Sequence, residues 1–375
     1  MRKLLLATAA TLTLSSGAFA AEFSAAYVEQ VGGSNNVVTQ DQTGYRNDAK
    51  AYQTDGQRNT INQTQTGSRN DAWASQQASR SARIDQDQDG RGNRASAKQV
   101  RVSTNDKITQ TQRGDYNKAE GSQSYSSGVL ITQDQHGDGN SAKAKQSQAN
   151  GVLFLKTTIT QTQHGDRNEA EATQDRSYGV TILQTQSGRG NEATAEQRDG
   201  TTLSAIIQAQ SGRGNDAYGK QSDTSASLIT QTQTGNDSRA SATQSGSNLV
   251  FITQVQNGDG HYAKAGQYGT AASSITQTQG GSYQSATAEQ RGTSNSRIIQ
   301  IQGERGHSAG NTAKAFQVSA EDGLIKQIQT GYANYAYASQ SGTNNQIFQT
   351  QSGIGNSTTA YQYGGTGNTV TQTQR

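Results

Sequence analysis

Large branched apolar residues are sparse along this chain, and those that occur keep a fixed beat. Val38, Ile61, Ile84, Ile108, Ile131, Ile159, Ile182, Ile206, Ile229, Ile252, Ile275, Ile298, Ile325, Ile347 and Val370 follow one another at intervals of 22 to 28 residues, most often 23. Between them the pattern I-x-Q-x-Q-x-G-x-x-N-x-A-x-A-x-Q recurs, in fourteen full units and a truncated fifteenth. Such self-similarity at a fixed period is the mark of a repeat architecture.

One unit, "INQTQTGSRNDAWASQ" (61–76), shows how each could fold. Ile61, Gln63 and Gln65 alternate with outward residues at the strand period of two. Gly67 and Asn70 then supply a reversal, both tolerant of positive φ. Alternation resumes with Asn70, Ala72, Ala74 and Gln76 on one face. Folding the two strands together sets Ile61 against Ala74 and Gln63 against Ala72, large against small. The same inward set reads Ile159, Gln161, Gln163, Asn168, Ala170 and Gln174 in one later unit, and Ile182, Gln184, Gln186, Asn191 and Gln197 in the next. The arc glycines form a column of their own: Gly44, Gly67, Gly90, Gly114, Gly137, Gly165, Gly188 and Gly212. The predicted fold is all-β, a β-solenoid with two strands per rung and amyloid-like stacking.

Burying one Ile returns far less than the conformational entropy of ordering a unit, so a lone unit cannot fold. Stacked units pair every backbone group with the rung above or below, and inward Gln side chains can join into amide ladders. Two intervals are long. One holds "VLFLK" (152–156), either an extended strand or a partner-docking excursion; the other carries a four-residue insertion within "GERGHSAGN" (303–311). Both are expected to bulge outward without breaking the stack. "YVEQVGGSNN" (27–36) reads as the second half of a unit with its turn.

Composition sharpens this picture. Only 30% of the 375 residues are hydrophobic, mean hydropathy is −0.87, and Pro is absent, which leaves every backbone N–H available for strands. The first twenty residues, "MRKLLLATAATLTLSSGAFA", have a basic start, a short apolar stretch and an A-x-A site, so a secretory leader is expected with cleavage between Ala20 and Ala21. The expected organisation is a leader (1–20), a short segment with a half-rung (21–37) and the repeat solenoid (38–375). Removing Arg2 and Lys3 leaves 30 basic against 29 acidic residues, so charge names no nucleic-acid or membrane partner and opposes self-association little. There is no Cys, hence no disulfide or thiolate metal site. No other stretch is long enough for a membrane-spanning helix.

A repeat of this length carrying Q-x-G-x-x-N-x-A and a further Gln resembles the curlin repeat, over residues 27–375. The Gln pair of the first strand recurs from Gln40 and Gln42 to Gln372 and Gln374, and the closing Gln from Gln53 to Gln362. The resemblance implies a β-solenoid subunit that polymerises end to end into curli fibres, extracellular functional amyloid for adhesion and biofilm matrix. It implies as partners other copies of the chain, a nucleator and an outer-membrane secretion machinery, with host matrix or polysaccharide as possible ligands. It also implies that inward Gln and Asn ladders, here Gln40, Gln63, Gln161, Asn47, Asn70, Asn168 and their equivalents, drive assembly. The chain departs from the family in having nearly three times the usual number of units and only a short "AEFSAA" before the first. Major subunit, nucleator and long relative stay unseparated. Ser238, His261 and Gln284 replace Asn in three consecutive units, so that ladder is expected to be interrupted there. The alternative reading is a monomeric solenoid adhesin or ligand-binding stalk.

Other chemistry is thin. Asp71, Glu169 and Glu171 are scattered outward, so no enzyme is expected, nor any cofactor. His136 and His164 share one arc position in neighbouring units, a weak metal pair at most against the plainer reading of solvated turns. "GDGN" (137–140) lacks the tandem nonapeptide of calcium-binding solenoids. Arg91, Arg189 and Arg213 share a register that could make an adhesive stripe for anionic polysaccharide or DNA, or could be solvated turns that slow lateral aggregation. Thr-x-Thr faces such as "TITQT" (158–162) suggest an ice-binding plane, but Leu183, Ile207, Lys326 and Phe348 interrupt it.

Overall fold

Period-two alternation in every unit produces strands, and the fixed repeat length produces parallel pairing between them. A computed structural model describes residues 11–15, 23–151, 155–303 and 308–375. The chain divides into two units, Met1–Gln184 and Thr185–Arg375. Both are all-β, built of two parallel sheets, one from the first strand of each rung and one from the second.

In the first unit, the strands Val37–Tyr45, Thr60–Ser68, Arg83–Arg91, Lys107–Asp115, Val129–His136 and Thr157–Asp166 stack in one sheet with Val38, Ile61, Ile84, Ile108, Ile131 and Ile159 in register. The facing sheet runs from Ala25–Val31 through Asp48–Thr54 and Asp71–Gln77 to Glu169–Asp175, with Ala49, Ala72 and Ala95 aligned. In the second unit the same pattern aligns Ile206, Ile229, Ile252, Ile275, Ile298, Ile325, Ile347 and Val370. Its facing sheet aligns Ala193, Ala217, Ala240, Ala263, Ala286, Ala313 and Ala336.

The apolar part of the core is a column of Ile against columns of Ala. The Ile column is fully buried, as are Ala72 and Ala74. Large meets small as expected: where Gly121 replaces an Ala, a Cβ would lie 2.9 Å from Cγ2 of Ile108.

The arc glycines answer to two constraints at once. Gly67 has φ 103°, and a Cβ there would sit 2.1 Å from the carbonyl oxygen of Gly90 in the next rung. The second positive-φ residue of this arc is Arg69 at 59°, not Asn70. Asn70 is buried with its side chain turned inward, so it works as a core residue, and the outward residue before it takes the turn.

The irregular intervals leave the stack continuous. Gln133 Nε2 donates to Gln161 Oε1 at 2.9 Å across the first, and Gln300 to Gln327 at 2.9 Å across the second. Within them, 152–154 of "VLFLK" and 304–307 of "GERGHSAGN" lie outside the described residues, as does the Ala20–Ala21 junction. Thr11–Ser15, inside the expected leader, forms a strand parallel to Val37–Asp41. Among the described residues no helix is long and apolar enough to cross a membrane.

Candidate functional site

An amide buried without partners costs several kcal/mol, so a core with three Gln and one Asn per rung is stable only if each amide is bonded. The stack supplies the partners. Gln63 Nε2 donates to Gln86 Oε1 at 2.8 Å, and reaches the carbonyls of Ala72 at 3.0 Å and Lys50 at 3.1 Å on the facing sheet. The column continues through Gln110, Gln133 and Gln161 to Gln184 at 2.8–2.9 Å. Gln65 donates to Gln88, and that column runs on through Gln112 and Gln135 to Gln163. A third column links Gln53, Gln76, Gln99, Gln123, Gln146 and Gln174. In the second unit Gln186 donates to Gln210, Gln197 to Gln221, and Gln208 to Gln231, each at 2.8–2.9 Å.

The Asn column works differently. Asn47 Oδ1 accepts the backbone N–H of Asn70 at 3.0 Å, while Asn70 Nδ2 donates to the carbonyls of Thr66 and Gly90. The Asn70 side chain therefore ties its own arc to the next rung, where its Oδ1 accepts Asn93 N at 3.0 Å, while its backbone N–H is held by the rung before. Asn168 and Asn191 occupy the same place in their rungs and are buried, together with Ile159, Ala170, Ile182 and the Gln residues named above.

Ser238, His261 and Gln284 do not interrupt this column, contrary to the expectation from composition. Asn215 Oδ1 accepts from Ser238 N at 3.1 Å, Ser238 Oγ from His261 N at 3.2 Å, His261 Nδ1 from Gln284 N at 3.3 Å, and Gln284 Oε1 from Asn311 N at 3.0 Å. Each substitute places an acceptor where Asn Oδ1 would be. His261 also sets Nε2 3.2 Å from the carbonyl of Asn257, which makes Nε2 the protonated nitrogen of a neutral ring. Burial lowers its pKa below the usual histidine value.

A second polar position, not evident in the repeat pattern, lies in the other arc. Asn59 Oδ1 accepts the N–H of Ala82 at 3.1 Å and its Nδ2 donates to Ser79 O at 2.9 Å. Two rungs later Asp106 takes this place, 1% exposed. Its Oδ1 accepts Val129 N at 2.7 Å and its Oδ2 has no partner. Burial raises its pKa to about 7, against N–H groups of Val129, Ser103 and Gly128 and the charge of Lys156. The only signal available in the sequence was this residue's place two before each Ile, where Asn59, Ala82, Asp106 and Val129 share no evident type.

Outward groups form separate clusters. His136 and His164 stack with centroids 5.0 Å apart, and Asp134 lies 3.1 Å from His136. Among the described residues no group of three or more His, Asp or Glu could hold a metal ion. Arg91 lies over Tyr116, and its register neighbours are Ser68 and Asp115, so positive charge is not continued there. In the second unit the neighbour after Arg213 is Asn236. Tyr27, Tyr52 and Trp73 form a row along the second sheet, centroids 5.5 and 6.2 Å apart and successive rings tilted by 45° and 44°. No family model and no curated protein matches the chain.

Proposed function

We propose that this chain is a secreted structural and adhesive β-solenoid, a monomeric adhesin or ligand-binding stalk on the cell surface. The observation that carries this reading is that the described interior is closed by the chain's own rungs. Gln63 finds its partners in Gln40, Gln86, Ala72 and Lys50 of the same chain, so folding requires no second copy. Each unit displays columns of outward side chains on a regular stacked frame, which suits binding to extended ligands such as host matrix or polysaccharide. The basic-apolar leader supports export, and the reading is structural rather than catalytic.

A second reading, a curlin-like fibre subunit, is favoured by the polarity of the ladders. In each of the Gln columns described, every Gln donates towards the next rung and accepts from the one before. Gln40 Oε1, in the first-strand column of Gln63, and Gln362 Nε2, in the closing column that runs through Gln340, are left without partners, an acceptor early in one column and a donor late in another. A second copy stacked head to tail would continue the ladder without reversing it. That reading brings the nucleator and outer-membrane secretion machinery as partners.

The test is the mass of the mature chain in solution together with its dye-binding kinetics. A persistent monomer that retains β-structure supports the adhesin. Seeded growth with fibre reflections near about 4.8 and 10 Å supports the fibre and rejects the monomer.

A further inference from the structure

The aromatic row on the first unit ends abruptly, and it gives way to a hollow. Tyr27, Tyr52 and Trp73 alternate between two adjacent outward columns of the second sheet. One column continues from Trp73 to Ser96, Glu120 and Lys143; the other runs from Ser75 to Lys98, Ser122 and Lys145. Beyond Trp73 no ring continues the row, and a depression of about 230 Å³ opens, lined by Trp73, Ser96, Lys98, Glu120, Ser122 and Lys145 among others.

The charges around this hollow are unequally satisfied. Glu120 pairs with Lys118 at 2.7 Å, and Lys143 pairs with Glu171 at 2.7 Å. Lys98 and Lys145 are exposed and have no carboxylate partner among the described residues. They stand two rungs apart in one column, about 10 Å at the parallel-strand spacing, with the Ser122 hydroxyl position between them.

The geometry points to a binding site for a carboxylated sugar ring, a uronate unit of an acidic polysaccharide. The apolar C–H face of a pyranose would stack on the half-buried Trp73 indole, extending the run of rings. Its carboxylate would be met by the Lys98 and Lys145 ammoniums, and its hydroxyls by Ser96, Ser122 and Glu120. A neutral sugar would use the indole but leave both lysines unanswered; a metal cation would be repelled by the lysines, and a hydrophobic ligand would leave the hydroxyls and the charge unused. The site builds on the adhesive reading only for its biological use, since occupancy by one soluble ligand does not depend on the chain's state of assembly.

Trp73 is the only tryptophan in the chain, so its emission reports on this site alone. The experiment titrates the full mature chain with trigalacturonate at low ionic strength, with maltotriose and a short oligothymidylate as comparators. The expected result is a saturable change in Trp73 emission with trigalacturonate and, with maltotriose, a much weaker response that the lysine substitutions leave unaltered. Joint Lys98→Ala and Lys145→Ala substitution should weaken binding roughly tenfold or more, because two charge-assisted contacts are lost. Both lysines are exposed, so circular dichroism should be unchanged. Unaltered emission, equal affinity in the double variant, or tighter binding of the oligothymidylate would overturn the assignment. Because the trisaccharide is soluble and the readout local, a failure here leaves the solution-mass test of the adhesin untouched.

Discussion

His261 Nδ1 accepts the backbone N–H of Gln284 at 3.3 Å, so an imidazole stands in a column otherwise built mostly of Asn carboxamides. The contact needs an unprotonated nitrogen facing a fixed donor. Protonation would set one N–H against another inside the core. Asp259 and the backbone contacts at Asn257 and Gly281 favour the cation, but burial outweighs them.

The consequence is acid sensitivity in the second unit. The pKa is lowered in the folded state, so the unfolded chain binds the proton more tightly. The stability contributed by neutral His261 is fully present above about pH 6.5, the unfolded value, and is lost as pH falls below it. His261→Asn should remove this slope. Hydrogen exchange at Gln284 and its neighbours, measured at pH 7.5 and pH 5, should show faster opening at pH 5 in the wild type and little change in the variant.

Asp106 titrates in the opposite sense in the first unit. Its folded pKa, about 7, lies above the ordinary 3.8 of the unfolded chain. Stability from the protonated form is therefore fully present below pH 3.8 and falls as pH rises to about 7. Asp106→Asn reproduces the uncharged Asn59 arrangement and should stabilise the unit at pH 8 by a few kcal/mol, on the order of the pKa displacement. Denaturation midpoints at pH 4 and pH 8 check it: the gain should appear at pH 8 and shrink at pH 4.

Inward and outward polar residues should behave very differently. Gln161 accepts from Gln133 and donates to Gln184, Lys143 O and Ala170 O. Gln161→Leu orphans the amides above and below it, at about 1–3 kcal/mol for each buried group. Thr162→Val, on the outward face, should cost less than about 0.5 kcal/mol. Local opening free energies of the flanking rungs separate the two, and equal effects would mean the inward assignment is wrong.

A position is legible in sequence to the extent that a single duty suits its residue. Ile61, Gln63 and Ala72 were readable because period-two alternation and a fixed repeat leave one arrangement that buries them together. Asn70 was read both as a turn residue and as an inward one, because Asn suits both a positive φ and a buried amide. The structure spends it on the second and gives the φ of 59° to Arg69. At Ser238, His261 and Gln284 the side chains changed type, but the column needs only one acceptor atom at the right height, and composition does not show atoms. Asp106 escaped because its arc position tolerates Asn, Ala and Val alike. The Trp73 hollow depends on which outward neighbours share a column, and only the register of the sheets supplies that.

The arc glycine column gives a steric test. Gly67→Ala would put a Cβ against the Gly90 carbonyl and force a strained φ. It should destabilise the unit by about 3 kcal/mol or more, whereas Arg69→Gly, which relieves a positive φ at an exposed residue, should be neutral or slightly stabilising. Comparative denaturant midpoints measure both.

A buried core whose repeating contact is the glutamine carboxamide is probed at its contacts by hydrogen exchange of the Gln side-chain NH2 groups in the mature chain. The ladder amides of Gln63, Gln86, Gln110 and Gln161 should exchange as slowly as the backbone amides of Ile61 and Ile84 beside them. Exchange of those carboxamides at the rate of free glutamine, with the backbone still protected, would rule such a core out.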